Sequence, residues 1–311
     1  MTAFVQIDLV PLLAAILACL ACGLIGNLLL LTRQSLLGDA ISHSVLPGIV
    51  LGFAVSGTRA ALPLVLGAMG TAIGAALLIE LVRRLTRLEP GAVMGIVFSG
   101  LFALGLVLLE VTGAHAVDLD VDCVLYGQLE ALIWPSASGL ASLADPAALA
   151  DLPPELVTLA AVTLLIAGGI ALLWKELRLA AFDPDFAATI GGAPRMLSVL
   201  VLMLIAVACV AAFWAVGSIL VIAALVAPAA IARLLTDSYR GQFLWSAAAA
   251  VAIGGGGYGA AALLPRLLGL PFGFNAAGMI AVVAGVLFAA AWAFGRYGRV
   301  RRRALSAGTA P

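Results

Sequence analysis

Long apolar stretches, each nearly free of charge, recur along this chain and decide what it can fold into. A bilayer core takes about 20 consecutive apolar residues as one helix. Such segments occupy roughly residues 10–31, 36–56, 61–82, 91–111, 156–174, 195–214, 217–235, 243–264 and 275–295. The chain is 64% hydrophobic and 10% charged, whereas a soluble domain carries about 25% charged residues. A membrane β-barrel would show short alternating segments, and none dominate. The pattern predicts an all-α polytopic membrane protein with about nine transmembrane helices, eight being the lesser count. One membrane domain over residues 1–311 is the simplest organisation, because no low-complexity region or clear repeat interrupts it.

Charge placement sets the expected orientation, since Lys and Arg gather on the cytoplasmic side. Arg33, the set Arg83, Arg84 and Arg87, the set Lys175, Arg178 and Arg195, and the pair Arg233 and Arg240 all lie in or beside connections. Arg296, Arg299, Arg301, Arg302 and Arg303 follow the last apolar run. With nine spans these groups share one side, and only Arg59 and Arg266 oppose them. The expectation is an N-terminus outside and a cytoplasmic C-terminus, with 296–311 a basic tail beside anionic lipid. No basic residue precedes the first apolar run, which is too long for a signal-peptide core, so it reads as a retained helix. The net charge of zero suggests no nucleic-acid partner.

Against this apolar background, Asp39 and His43 stand four positions apart in Gly-Asp-Ala-Ile-Ser-His-Ser-Val-Leu-Pro-Gly, residues 38–48. On a helix that spacing puts both on one face. An ionised side chain at mid-membrane costs roughly 2.5–3.5 kcal/mol on insertion scales, so such groups usually face an interior pathway. Carboxylate oxygen with imidazole nitrogen is a ligand set for a divalent transition metal. A hydrogen-bonded pair that merely pins two helices is the structural alternative. Counting from the span boundary puts Asp39 near the cytoplasmic end of span two. Either span one is shorter than drawn or the second helix starts deep in the interior. Pro47-Gly48 loosens the helix just after the pair.

Two connections are long enough to carry structure. The outer connection, 112–155, contains His115, Asp118, Asp120, Asp122, Cys123 and Glu130, and Glu110 ends the span before it. Glu110, Asp118, Asp120 and Asp122 are candidates for an outer cation entrance; an interfacial charge and a solvated loop are the plainer readings. The inner connection, 174–195, holds Phe182-Asp183-Pro184-Asp185-Phe186, with an acidic cap and proline at the first helical position. Phe186, Ala187 and Ile190 form an apolar face there, and Gly191-Gly192 stops the helix. Cys19 and Cys22 lie mid-span and read as buried small hydrophobes. Asn27 reads as a helix–helix hydrogen bond. The glycine run 254–257 reads as a site of close helix approach or local unwinding. Pro228 reads as a kink in its span, with a packing role alone as the alternative.

A phosphate-binding Walker loop needs lysine after glycine. Lys175 is the single lysine, in Leu-Leu-Trp-Lys-Glu-Leu, so no such loop exists. No HExxH, nucleophile elbow or dinucleotide fingerprint is present either. The expectation is a transport subunit and not an enzyme, with no permanently bound cofactor.

Residues 38–48 resemble the signature of the zinc/manganese/iron permeases of ABC transporters, the ABC-3 family. Gly217-Ser218-Ile219-Leu220-Val221-Ile222-Ala223-Ala224-Leu225-Val226-Ala227-Pro228-Ala229-Ala230 resembles a second motif. Phe182-Asp183-Pro184-Asp185-Phe186-Ala187, followed by Gly191, resembles a third. The resemblance spans essentially the whole chain in order and implies a type II importer-like permease in the bacterial cytoplasmic (inner) membrane. It implies a homo- or heterodimer of permeases, two separate ABC ATPase subunits and an external metal-binding protein that delivers the ion. Asp39 and His43 match the family's metal-coordinating positions. Phe182, Asp183, Pro184, Asp185, Phe186, Ile190 and Gly191 match its ATPase-coupling helix. Residues 117–127 look closer to the manganese/iron branch, which makes Mn²⁺ the first expectation, with Zn²⁺ and Fe²⁺ beside it. The alternatives are a permease for vitamin B12 or metal-siderophores, an ion-coupled secondary transporter and an intramembrane enzyme.

Overall fold

The computed structural model describes residues 4–32, 37–58, 61–86, 88–112, 129–137, 139, 142, 145–190 and 192–295. Among these residues the regular structure is helical throughout, with no strand. A π-helical turn, Phe4–Asp8, leads into α1 (Leu9–Leu31). Then come α2 (Leu37–His43), α3 (Leu46–Ser56), α4 (Ala61–Leu85) and α5 (Pro90–Val111). A short α6 (Pro146–Leu149) precedes α7 (Pro154–Leu172), α8 (Trp174–Phe182) and α9 (Pro184–Thr189). The last four are α10 (Pro194–Val216), α11 (Ser218–Leu235), α12 (Tyr239–Leu267) and α13 (Ala276–Phe294). Proline opens α5, α6, α7, α9 and α10, where its missing N–H would have had no helical partner anyway.

Seven of the described helices are long and apolar enough to cross a membrane. The two remaining expected spans are present in another form. Residues 217–235 make the shorter α11, and residues 36–56 are not one helix but the broken pair α2 and α3. The break has a local cause. Pro47 cannot donate to the carbonyl four residues back, which is that of His43, and its ring crowds that position. Helix α2 therefore stops at His43. Ser44 closes it, donating Oγ–H to the Ile41 carbonyl at 2.8 Å.

The first apolar run is the centre of the bundle. Helix α1 packs against α7, α10, α11 and α12, and Ala14, Ala15, Ala18, Cys19, Ala21, Cys22 and Ile25 are fully enclosed. A helix apolar on every side belongs in such a place. Small residues set the spacing, because bilayer helices associate through close packing rather than through water exclusion. In the glycine run of α12, a Cβ on Gly254 would sit 2.8 Å from the Ala15 carbonyl oxygen, and one on Gly257 would strike Ile280 of α13. The run is thus a close-approach site in an unbroken helix.

Polar side chains inside the bundle link helices, although Gln242 Oε1 has no hydrogen-bond partner among the described residues. Asn27 donates to the Gly23 carbonyl at 2.9 Å and accepts from Gln242 Nε2 at 2.9 Å. Gln242 also donates to the Ala229 carbonyl at 2.8 Å, and Ser246 donates to Gly23 O at 3.1 Å. The Asn27 expectation is met, and α1, α11 and α12 are tied together beside Pro228. Such bonds contribute about 0.6 kcal/mol each in a membrane interior. In α4, the buried Glu80 carboxylate is held by Arg83 at 2.6 Å and Arg84 at 2.7 Å, one turn on.

Candidate functional site

Helix α2 is enclosed by α4, α5, α10 and α11. Leu37, Gly38, Ala40 and Ile41 are buried, as are Ser44 and Val45 after its end. Gly38 lies against Leu225 near the middle of α11, where a Cβ would have to displace the end of the Leu225 side chain. Its carbonyl is 3.9 Å from the Cys209 sulfur, in the second half of α10. Of the two depths the sequence left open, the deep start is the one observed for α2. Asp39 and His43 occupy positions one turn apart on this helix; their side chains, with that of Ser42, lie outside the described residues.

Immediately after the break, Pro47 packs on α5, 3.0 Å from a Cβ placed at Gly105. Helix α3 crosses α4 so closely that Gly48 and Gly67 each face the other's carbonyl oxygen. The chain leaving α2 is thus fixed by backbone-to-backbone contact. Helix α2 is thus a short helix that ends among packed spans, with the Ala40 and Ile41 carbonyls closed off by Ser44.

The inner connection folds as expected and is extended at its start. Leu173 interrupts the chain between α7 and α8. Asp183 caps α9, accepting from the Phe186 N–H at 2.9 Å, and the Gly192 N–H closes the other end on Ala187 O at 2.9 Å. The expected apolar face divides. Ala187 turns into the protein, while Phe186 and Ile190, with Phe182 before them, project outward. A six-residue helix has too few turns to bury all of these on one partner. Asp185 is exposed as well, and Gly191 lies outside the described residues. We expect Asp183→Ala to weaken α9 by about 1 kcal/mol. Faster hydrogen exchange at Phe186 and its neighbours, without change in the long helices, would show it; unchanged exchange would mean the cap is dispensable.

A profile of the ABC 3 transport family matches residues 6–134 and 148–295. The chain belongs to this family. It is 32% identical over 280 residues to the manganese transport system membrane protein MntD of Bacillus subtilis, covering 90% of this chain and 89% of that one. It is 34% identical over 292 residues to the zinc transport system membrane protein TroD of Treponema pallidum, covering 93% and 75%. Its fold is shared with PsaBC from Streptococcus pneumoniae, solved in complex with Fab, at a TM-score of 0.72 and 24% identity over 93% of this chain and 92% of that one. As an ABC 3 member the protein is a multi-pass membrane permease.

Elsewhere in this ABC 3 protein the predicted residues are less gathered. Glu110 is exposed in the last turn of α5. His115, Asp118, Asp120, Asp122 and Cys123 lie outside the described residues, as do Arg33, Arg59, Arg87 and 296–311. Glu130 has a local role: its Oε1 accepts from the Ala276 N–H at 2.7 Å, at the start of α13. Cys19, Cys22 and Cys209 are buried thiols outside any disulfide. Sequence reasoning passed over Gln242 and Ser246, which were recognisable as a polar pair at i, i+4 in an apolar run. It also passed over Gly48-Ile-Val-Leu-Gly52, a small-xxx-small pattern that packs on α4.

Proposed function

We propose that the chain is the membrane-spanning subunit of an ATP-driven importer of divalent transition metal ions, Mn²⁺ first and Zn²⁺ or Fe²⁺ beside it. The observation that carries this reading is the buried, interrupted helix α2, which bears a carboxylate and an imidazole position one turn apart. A hydrated dication cannot enter hydrocarbon, so a pathway must replace part of its water shell. Asp39 oxygen and His43 nitrogen suit Mn²⁺, Fe²⁺ and Zn²⁺, and the rest of the shell comes from water or a second permease subunit. The names of the relatives, manganese and zinc transport proteins, support the same class of cargo.

Energy must come from outside this chain, which has no Walker loop. Phe182, Phe186 and Ile190 are apolar side chains exposed beside a polar turn, and such a set marks a protein contact. With Asp183, Pro184, Asp185 and Gly191 they form the surface through which ATPase subunits move the bundle. In this proposal 1–311 is one permease domain, with 112–155 outside, receiving the ion from a binding protein, and Glu110, Asp118, Asp120 and Asp122 near the entrance. The coupling segment 174–195 and the basic tail 296–311 face the cytoplasm of the inner membrane.

The test is metal content, by mass spectrometry, of cells expressing the chain with its ATPase partner and binding protein. We expect one of Mn, Zn or Fe to accumulate only when both the chain and an active ATPase are present. Accumulation independent of the ATPase, or uptake only of a chelate, would overturn the proposal.

A further inference from the structure

A cavity of about 1050 Å³ opens between α8 and the start of α12, away from α2. Lys175, Arg178 and Arg240 line it, with Asp237 as its one acid. Its floor is aromatic. Trp174 meets Tyr239 edge-on at 4.7 Å between ring centres, and Phe243 lies 5.1 Å from both. Phe182 closes a third side of Tyr239 at 6.0 Å. The Tyr239 hydroxyl is buried and finds no hydrogen-bond partner among the described residues.

The position of the cavity in the fold narrows what it can hold. Helix α7, a candidate membrane span, ends at Leu172, and α12, another, begins at Tyr239. The cavity thus sits where two spans leave the hydrocarbon, the level at which Trp and Tyr rings settle. The same two spans expose large apolar side chains within about a turn and a half of these ends: Leu172 is 82% exposed, Leu244 72% and Trp245 51%. Three cations against one carboxylate, over an aromatic floor and beside a hydrocarbon-facing wall, match a molecule with an anionic head and apolar tails. Basic pockets between spans at the membrane boundary recognise phosphate headgroups in this way.

We infer that the cavity between α8 and α12 binds an anionic phospholipid, its phosphate among Lys175, Arg178 and Arg240 and its acyl chains along Leu172, Leu244 and Trp245. The Tyr239 O–H supplies a donor for a phosphate oxygen. A polar docking partner would meet the cations but make no use of the adjoining apolar wall, which an amphiphile engages together with them. Bound lipid would brace α8, which leads directly into α9. The inference rests on the membrane fold alone and does not depend on the transported ion.

Native mass spectrometry of the full chain in detergent tests it, with phosphatidylglycerol and phosphatidylcholine of matched acyl chains as probes. We expect the chain to retain phosphatidylglycerol at least about tenfold better, and Lys175→Gln/Arg178→Gln/Arg240→Gln to remove that preference. Phosphatidylcholine retention should not change, and Lys175→Arg/Arg178→Lys/Arg240→Lys should restore the preference. On the wild-type chain, which needs no variant to fold, rising salt should weaken the preference. A salt-independent preference, or a glutamine variant that binds phosphatidylglycerol like wild type, overturns the inference. So does displacement by millimolar inorganic phosphate, which would assign the cavity to a soluble anion. Loss of ATPase co-purification with lipid retention intact would assign it to a protein contact and overturn it equally.

Discussion

His43→Ala should reduce metal accumulation to background while the protein still inserts and still retains its ATPase partner. The imidazole contributes one of two candidate ligands on α2, and losing a direct ligand should weaken metal binding by more than about a hundredfold, since outer-shell partners alone are worth about 10–100-fold. Asp39→Asn is the sharper variant, because it keeps the side-chain volume and removes only the charge. It should fail to the same extent. The residues beside the pair are packed and apolar, so neither substitution should unfold the bundle. Normal Mn, Zn and Fe levels in both variants would return the pair to a structural role and leave the pathway without a metal ligand on α2.

Gly48→Leu should lower thermal stability and uptake together. A side chain at Gly48 would run into the Gly67 carbonyl and Thr71, and Gly52 adds a second tight point, where a Cβ would lie 2.5 Å from the Pro63 carbonyl oxygen. The obstructing atoms are mostly backbone, so the helices must part. Overpacking of this kind costs about 1–3 kcal/mol and occasionally more. Because α3 directly follows α2, separating α3 from α4 also displaces the helix that carries Asp39 and His43. Gly70→Leu and Gly74→Leu are the controls: they lie on the same helix α4, with open space at the Cβ. They should melt as wild type. A Gly48→Leu protein that melts and transports as wild type would mean the close crossing is not needed.

Much of the local structure was legible because its causes are local. The Asp183 cap, the proline starts and the glycine stop at the end of α9 depend on residues within a few positions of each other. The break after His43 follows from Pro47, four residues later. The depth of α2 was not legible, since counting along the chain assumes that each span runs from face to face. Helix α2 instead starts inside the bundle, where Gly38 can approach Leu225. The apolar face of α9 was read correctly as a set of residue types and only partly as a surface. Whether Ala187 or Phe186 turns inward depends on where α10 lies.

By itself the sequence determined that this chain is a helical membrane protein, where most of its helices begin and end, and that an Asp and a His stand one turn apart in an apolar stretch. Those are consequences of hydropathy, backbone donors and side-chain type, all set within a span or a turn. Only the tertiary structure decided that α1 is the central helix, that Asn27 meets Gln242 and that α3 crosses α4 at glycine. It alone gathered Lys175, Arg178 and Arg240 around one aromatic floor. Bilayer helices are all apolar, so hydropathy cannot rank their partners. Partner choice falls to the fit of small residues and a few buried hydrogen bonds, which exist only once the helices are together.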